Sequence, residues 1–300
     1  MKKQKIKRAL VISGGAAKGA WGGGFLQYLI EEKKYDWDMY FGTSTGSLLV
    51  MLTALHEMKR LKEGYTSVTN KSIFSVNPFN KKGKVRIGNA IWRTIRGKSS
   101  LGEGRGLYKL IREMLTIKDF GRLNKMKRPV YICATDFLSK EAVYATNLDE
   151  VYDTFTKFVL ASSSVPVAFD FVDVRNMKLL DGGVTHNVPI QKAIDEGADE
   201  VDVIVFRTKH EEYDHWKPTN WFNTLLRTLD IQLYQSAFRS IDIGLLKAKD
   251  KDVKIRIRYL PYKLTNNSLM FRKKEMTRWW NEGYEYAKQD NTSIKMHLKK

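Results

Sequence analysis

The 300-residue chain has one cysteine, Cys133, and only six prolines, and its acids are far outnumbered by its bases. A single thiol excludes an internal disulfide framework, and its place in the apolar run VYICAT marks it as a core residue rather than a reactive one. No stretch approaches the roughly 18 consecutive apolar residues of a membrane-spanning helix. The basic N-terminal stretch is followed by only Ala9 to Ile12 before glycines begin, too little for the apolar core of a secretory signal. The expectation is a cytoplasmic protein that is peripheral, not integral, at membranes. Internal repeats and low-complexity tracts are also missing, which excludes solenoids and fibrous architectures.

What is present is enough apolar material, 43% of residues, to bury one large core. The expectation is a single domain over residues 1–300, with its motifs concentrated in about 8–206 and a helical and strand-bearing remainder, 207–300, that carries no sharp motif. Apolar, β-rich runs fall at Ala9 to Ser13, Trp37 to Phe41, Pro129 to Thr135, Val201 to Phe206 and Val253 to Tyr259, with helix-like stretches between most of them. That alternation predicts an α/β fold with a mainly parallel sheet covered by helices. Helices are predicted at Ala20 to Glu32, from Ser47 through Leu55, and at Leu107 to Leu115, Val151 to Ser162, Pro189 to Glu196, Trp221 to Leu246 and Arg272 to Lys288. Gly22 to Gly24 inside the first of these point to close packing rather than to helix propensity. Thr66 to Ser100, with Pro78 and scattered glycines and lysines, reads as an irregular excursion or lid.

The formal net charge is +19, and it is unevenly spread: Lys71 to Arg128 holds 16 lysines and arginines against three acids, Glu103, Glu113 and Asp119. Such a field attracts polyanions, and an anionic membrane surface is favoured over nucleic acid, with aromatics such as Phe79 and Trp92 at hand. A merely solvated face is the plain alternative. Trp279 and Trp280 fit helix packing better than a membrane surface.

Three short motifs carry chemistry. FGTSTG places Ser44 in a GxSxG pattern between an apolar run and a good helix, with Gly42 and Gly46 relieving crowding at the tight turn that exposes a nucleophile. A serine hydroxyl needs a base. His56, His210, His215 and His297 lie in unsuitable places, and His186 alone lies near another motif. The better candidate is Asp181 in LLDGGVTHNVP, where Gly182 and Gly183 imply a tight turn at a strand end, although DGG is also an ordinary turn signal. The third motif, SGGAAKG from Ser13 to Gly19, can direct backbone N–H groups at an anion. It lacks the spacing GxxxxGK[ST], and GxGxxG does not occur, so an oxyanion is favoured over a nucleotide phosphate. Lys18 either adds positive potential there or anchors the loop.

In this order and spacing the three motifs resemble those of the patatin-like phospholipases, which follow a glycine-rich GGGxRG or GGGxKG loop with GxSxG and then DGG or DGA. ATDF at Ala134 to Phe137, ASSSVPVAF at Ala161 to Phe169, NVP at Asn187 to Pro189 and GADEV at Gly197 to Val201 extend the resemblance over roughly residues 8 to 206. It implies a patatin-like three-layer α/β/α sandwich related to the α/β hydrolases. It further implies a Ser44/Asp181 dyad, an oxyanion hole at Gly14, Gly15 and Ala16, a phospholipid or other acyl-lipid substrate, and neither metal nor cofactor. Ala16 stands where the family usually has a glycine, which would be strained if that position needs a positive φ. The alternatives are acyl transfer at the same site, or a non-catalytic basic protein that binds membranes or nucleic acid through an enzyme-like fold.

Overall fold

The computed structural model describes residues 5–80, 86–210 and 221–289. Lys81, Lys82 and Lys84 of the basic stretch, and His215 and His297, lie outside the described residues. The strands are β1 (Arg8–Ile12), β2 (Met39–Thr43), β3 (Val130–Asp136), β4 (Ala142–Thr146), β5 (Val172–Val174), β6 (Met177–Asp181), β7 (Glu200–Thr208) and β8 (Lys254–Leu260). The helices are α1 (Gly19–Glu31), α2 (Thr45–Ala54), α3 (Met58–Ser67), α4 (Asn70–Ile73), α5 (Ile87–Ile95), α6 (Arg105–Met114), α7 (Ile117–Lys125), α8 (Tyr152–Ser162), α9 (Ile190–Asp195), α10 (Trp221–Asp250) and α11 (Lys273–Gln289).

One mixed sheet runs in the order β5-β6-β3-β2-β1-β7-β8, with β4 added on β3. The five strands from β3 to β8 are parallel, and β4, β5 and β6 join antiparallel. β1 shows why its sequence is a continuous apolar run. Leu10 and Ile12 enter the apolar layer beneath α1, α2, α3 and α11, while Ala9 and Val11 enter the layer beneath α9 and α10. A strand covered on both faces has no polar side to show. The result is helix–sheet–helix layering, as the alternation of runs predicts.

Three strands escape that alternation. β4, β5 and β6 are short and only half-covered over much of their length. α3 and α7 were also not anticipated. α7 opens with a capping box, Thr116 accepting from the Asp119 N–H at 3.2 Å while Asp119 accepts from the Thr116 N–H at 3.1 Å. The stretch Thr66 to Ser100 is less irregular than expected, since it holds α4 and α5.

The glycine cluster of α1 serves close packing. A Cβ on Gly24 would lie 1.8 Å from the Trp280 carbonyl oxygen, and one on Gly283 would lie 1.9 Å from that of Trp21, so α1 and α11 cross with their backbones touching. Trp279 and Trp280 are fully buried at that crossing. Phe79, expected near a membrane surface, is instead buried edge-on against Phe74. The basic stretch is also less bare than its composition implies, because acids from elsewhere fold onto it. Arg112 pairs with Asp153, Arg122 with Glu57, and Arg128 with Asp36, at 2.6 to 2.7 Å. Among the described residues no helix is long and apolar enough to cross a membrane.

Candidate active site

The sheet register brings two distant residues together. β2 pairs with β3 up to Thr43 opposite Cys133 and then leaves the sheet, so Ser44 is the first residue beyond it. The other edge of β3 is occupied by β4 from Tyr131 to Thr135. β6 therefore docks where β2 departs, with Asp181 opposite Ala134, the very next residue of β3. Two strand ends meet at adjacent positions along one edge.

Ser44 sits at that meeting point with φ 54 and ψ −125, a left-handed backbone that an L-residue adopts only under constraint. The constraint is close packing on either side. A Cβ on Gly42 would fall 2.5 Å from the Gly46 carbonyl oxygen, and one on Gly46 would fall 2.2 Å from that of Ile12. Only glycine fits at either position, and the turn aims the serine hydroxyl away from the sheet at the start of α2. Three further serines hold the turn. The Ser44 N–H donates to Ser162 Oγ at 2.9 Å, and its carbonyl accepts from the hydroxyls of Ser47 and Ser163. Ser162 and Ser163 belong to the ASSSVPVAF stretch, whose part in bracing the turn only the fold reveals.

Ser44 Oγ donates to Asp181 Oδ2 at 2.7 Å. Asp181 Oδ1 accepts from the Gly183 N–H at 2.7 Å, the Asp181 N–H donates to the Ser164 carbonyl at 3.0 Å, and its own carbonyl accepts from the Thr135 hydroxyl at 3.0 Å. A Cβ on Gly182 would lie 2.3 Å from the Cys133 carbonyl oxygen, so the turn after Asp181 is pressed onto β3. The carboxyl group is buried, and loss of water pushes its pKa up to about 7 against the opposing pull of the hydrogen bonds from Ser44 and Gly183. Through its ring His186 hydrogen-bonds neither Ser44 nor Asp181 among the described residues. Its Nδ1 bonds the Tyr144 hydroxyl at 3.0 Å, its carbonyl accepts from Thr43, and burial lowers its pKa. Cys133 is buried and inert, its pKa pushed up to about 12 by burial.

The glycine-rich loop lies against the turn: a Cβ on Gly14 would lie 3.1 Å from Ser44 Cβ, and one on Gly19 would lie 2.3 Å from Thr45 Oγ1. The Gly14 N–H, expected among the oxyanion donors, instead donates to the Asn187 carbonyl at 3.3 Å. The amides of Gly15 and Ala16 have no partner among the described residues. Lys18 closes the following 3-10 turn through its own N–H, which donates to the Gly15 carbonyl at 3.1 Å, and the Ala17 N–H donates to the Ser268 carbonyl at 3.0 Å. Ala16 has φ 48, so the alanine that departs from the glycine pattern does occupy a left-handed position. Ala16 and Ser44 open into a pocket with about 570 Å³ of empty space, part of it open to solvent. Its wall is almost wholly apolar, with Leu48, Val68, Ile73, Leu107 and Phe169 among the lining residues. Among the described residues no group of three or more His, Cys, Asp or Glu could hold a metal ion.

A strained serine turn following a parallel strand, an aspartate on a nearby strand end and a glycine loop after the first strand fit a patatin-like α/β fold. The family described as "Patatin-like phospholipase" matches residues 10–194, and the chain belongs to that family. It is 26% identical over 242 residues to an uncharacterized protein, L620, of Acanthamoeba polyphaga mimivirus, a match over 63% of this chain and 64% of that protein. The chain thus matches less than two thirds of the length of that relative. Among solved structures, VipD from Legionella pneumophila aligns over 95% of this chain and 66% of its own, at 14% identity with a TM-score of 0.50, which is a likeness of fold. A looser alignment, with a TM-score of 0.32 at 13% identity, exists with the type III effector protein ExoU, over 95% of this chain and 53% of that one.

Proposed function

We propose that this chain is a serine acyl hydrolase that cleaves fatty acyl esters of membrane lipids, with Ser44 as nucleophile and Asp181 as its base. The single observation that carries the reading is the 2.7 Å hydrogen bond from Ser44 Oγ to a buried Asp181 carboxylate, made at the mouth of an apolar pocket. A carboxylate near its ordinary pKa of about 3.9 would be a feeble base at neutral pH, whereas one near 7 is poised to take a proton. Ser44 attacks the ester carbonyl as Asp181 Oδ2 accepts its proton, and the alcohol leaves with that proton. Water, deprotonated by the same carboxylate, then attacks the acyl-Ser44 ester, and as the bond to Oγ breaks Asp181 returns the proton to Ser44 and the fatty acid is released. The amides of Gly15 and Ala16 stabilise the oxyanion, each such donor being worth about 3 kcal/mol. The pocket takes the acyl chain.

The same reading treats residues 1–300 as one catalytic unit. In its support, β7 and β8 continue the sheet that carries the dyad, α11 packs on α1, and Leu269, Phe271 and Met276 from the C-terminal part help line the pocket. It also makes an anionic membrane surface the working partner, in keeping with the net charge of +19.

The test is release of fatty acid from phospholipid vesicles by the wild-type chain and by Ser44→Ala and Asp181→Asn. Both variants are expected to lose at least a thousandfold in rate while keeping the fold. Near-normal release by either variant overturns the assignment.

A further inference from the structure

Helix α5 is built inside out. Among its described side chains the buried one is Arg93, 2% exposed, whereas Ile91, Trp92 and Ile95 are 56%, 49% and 79% exposed. Surface helices ordinarily do the opposite, turning apolar residues inward and cations to water. Arg93 acts as an anchor: its Nε donates to the Ser100 carbonyl at 2.7 Å, and its guanidinium pairs with Glu103 at 3.0 Å and Asp170 at 3.6 Å. Held by that arginine, the helix keeps Ile91, Trp92 and Ile95 in water, where they cost free energy.

A second exposed apolar pair lies at the same end of the molecule. Phe137 and Leu138 are exposed, and Phe137 packs on Phe171, the residue after the Asp170 that pairs with Arg93. Phe137 and Leu138 leave the C-terminal end of β3, which is parallel to β2 and so lies on the same sheet edge as Ser44. The loop that receives Arg93 also reaches the pocket. The Leu101 N–H donates to the Val167 carbonyl at 2.8 Å, and Val165 and Phe169 on either side line the acyl pocket.

The charges that flank the helix in the sequence have one sign. No acid occurs between Glu63 and Glu103 in the sequence, and exposed Arg86, Arg96 and Lys98 flank α5. The Arg96 guanidinium stacks 3.9 Å over the Trp92 ring. Glu103 and Asp170, the acids that meet α5, are tied to Arg93. An apolar ridge beside cations, one layer from an acyl pocket, matches the interface of an anionic bilayer: apolar side chains enter the acyl boundary and the cations meet the phosphates.

We propose that α5, together with Phe137 and Leu138, is the element by which this chain docks on anionic bilayers. The proposal deepens the acyl-hydrolase reading and rests on it for its purpose, which is to set the pocket mouth against the lipid. The test uses the full chain, sedimented with phosphatidylcholine vesicles with and without phosphatidylglycerol. Alongside it, hydrolysis of p-nitrophenyl butyrate, a soluble ester that needs no membrane, is measured. Wild type is expected to bind the anionic vesicles at least tenfold more tightly than the neutral ones. The double variant Ile91→Asp/Ile95→Asp is expected to lose at least tenfold in affinity for the anionic vesicles while hydrolysing the soluble ester within twofold of wild type. If the double variant fails to fold, Trp92→Ser is expected to show a loss of at least threefold. Unchanged vesicle binding by the variants overturns the proposal, as does a wild type indifferent to phosphatidylglycerol. If wild type elutes as a dimer, the variant as a monomer, and neither binds vesicles, the face joins copies of the chain and the proposal falls. If vesicle binding follows the proposal but no ester is cleaved, the hydrolase reading fails and the docking face stands.

Discussion

Ser44 and Asp181 are neighbours because Thr43 pairs with Cys133 and Asp181 pairs with Ala134, two consecutive residues of β3. Backbone register, not the side chains themselves, sets their 2.7 Å contact. Changing either side chain should therefore alter the chemistry while leaving the strands in place.

The first consequence concerns pH and stability. Asp181 has its pKa raised to about 7 in the fold, against 3.8 for the free group, so between these values the native state holds a proton that the unfolded chain has lost. Protonation thus favours the native state, and the contribution is full below about pH 4 and is lost as pH rises through about 7. Asp181→Asn, which cannot ionise, escapes that loss. Its melting temperature relative to wild type is expected to rise between pH 5 and pH 8, by an amount reflecting a few kcal/mol at most. A melting difference that stays flat across this range, or shrinks, contradicts the burial argument.

Ala16 offers a stabilising substitution. At φ 48 an alanine pays for a left-handed backbone that glycine adopts freely. Ala16→Gly is expected to stabilise the chain by about 1 kcal/mol, a rise in melting temperature of about 2–4 °C for a chain of this size. A fall in melting temperature would show that the alanine methyl contributes more by packing than its backbone costs.

Ser162 tests how the Ser44 turn is held. Its hydroxyl is the acceptor for the buried Ser44 N–H at 2.9 Å, so Ser162→Ala leaves that donor unpaired. A loss of about 1–3 kcal/mol in stability is expected from urea unfolding, together with reduced ester turnover. Wild-type values for both quantities would mean that the turn is held by its glycines alone.

The fold was legible where burial on both faces wrote continuous apolar runs, as in β1 and β7, and illegible where strands are short and half-covered, as in β5. β6 was visible only through its last residues, because Leu179, Leu180 and the DGG turn mark a strand end without showing that it runs antiparallel to β3. The residue types of the site could be read from three motifs. What sequence does not encode locally is the service each backbone group performs: the Gly14 amide is bound by Asn187, far along the chain, and Ser162 supports Ser44 across a comparable span. The acids that pair with part of the basic stretch, Asp36, Glu57 and Asp153, likewise come from other parts of the sequence and are not visible within it.

The most direct measurement is covalent labelling of the full chain by a fluorophosphonate, followed by peptide mapping and by the labelling rate as a function of pH. The account predicts a single phosphonylated residue, Ser44, with a rate that climbs as pH rises through about 7 and levels off above it, and a rate at least a hundredfold lower in Asp181→Asn. Labelling of Ser47, Ser162 or Ser163 in place of Ser44, or a rate in Asp181→Asn equal to that of wild type, would contradict it.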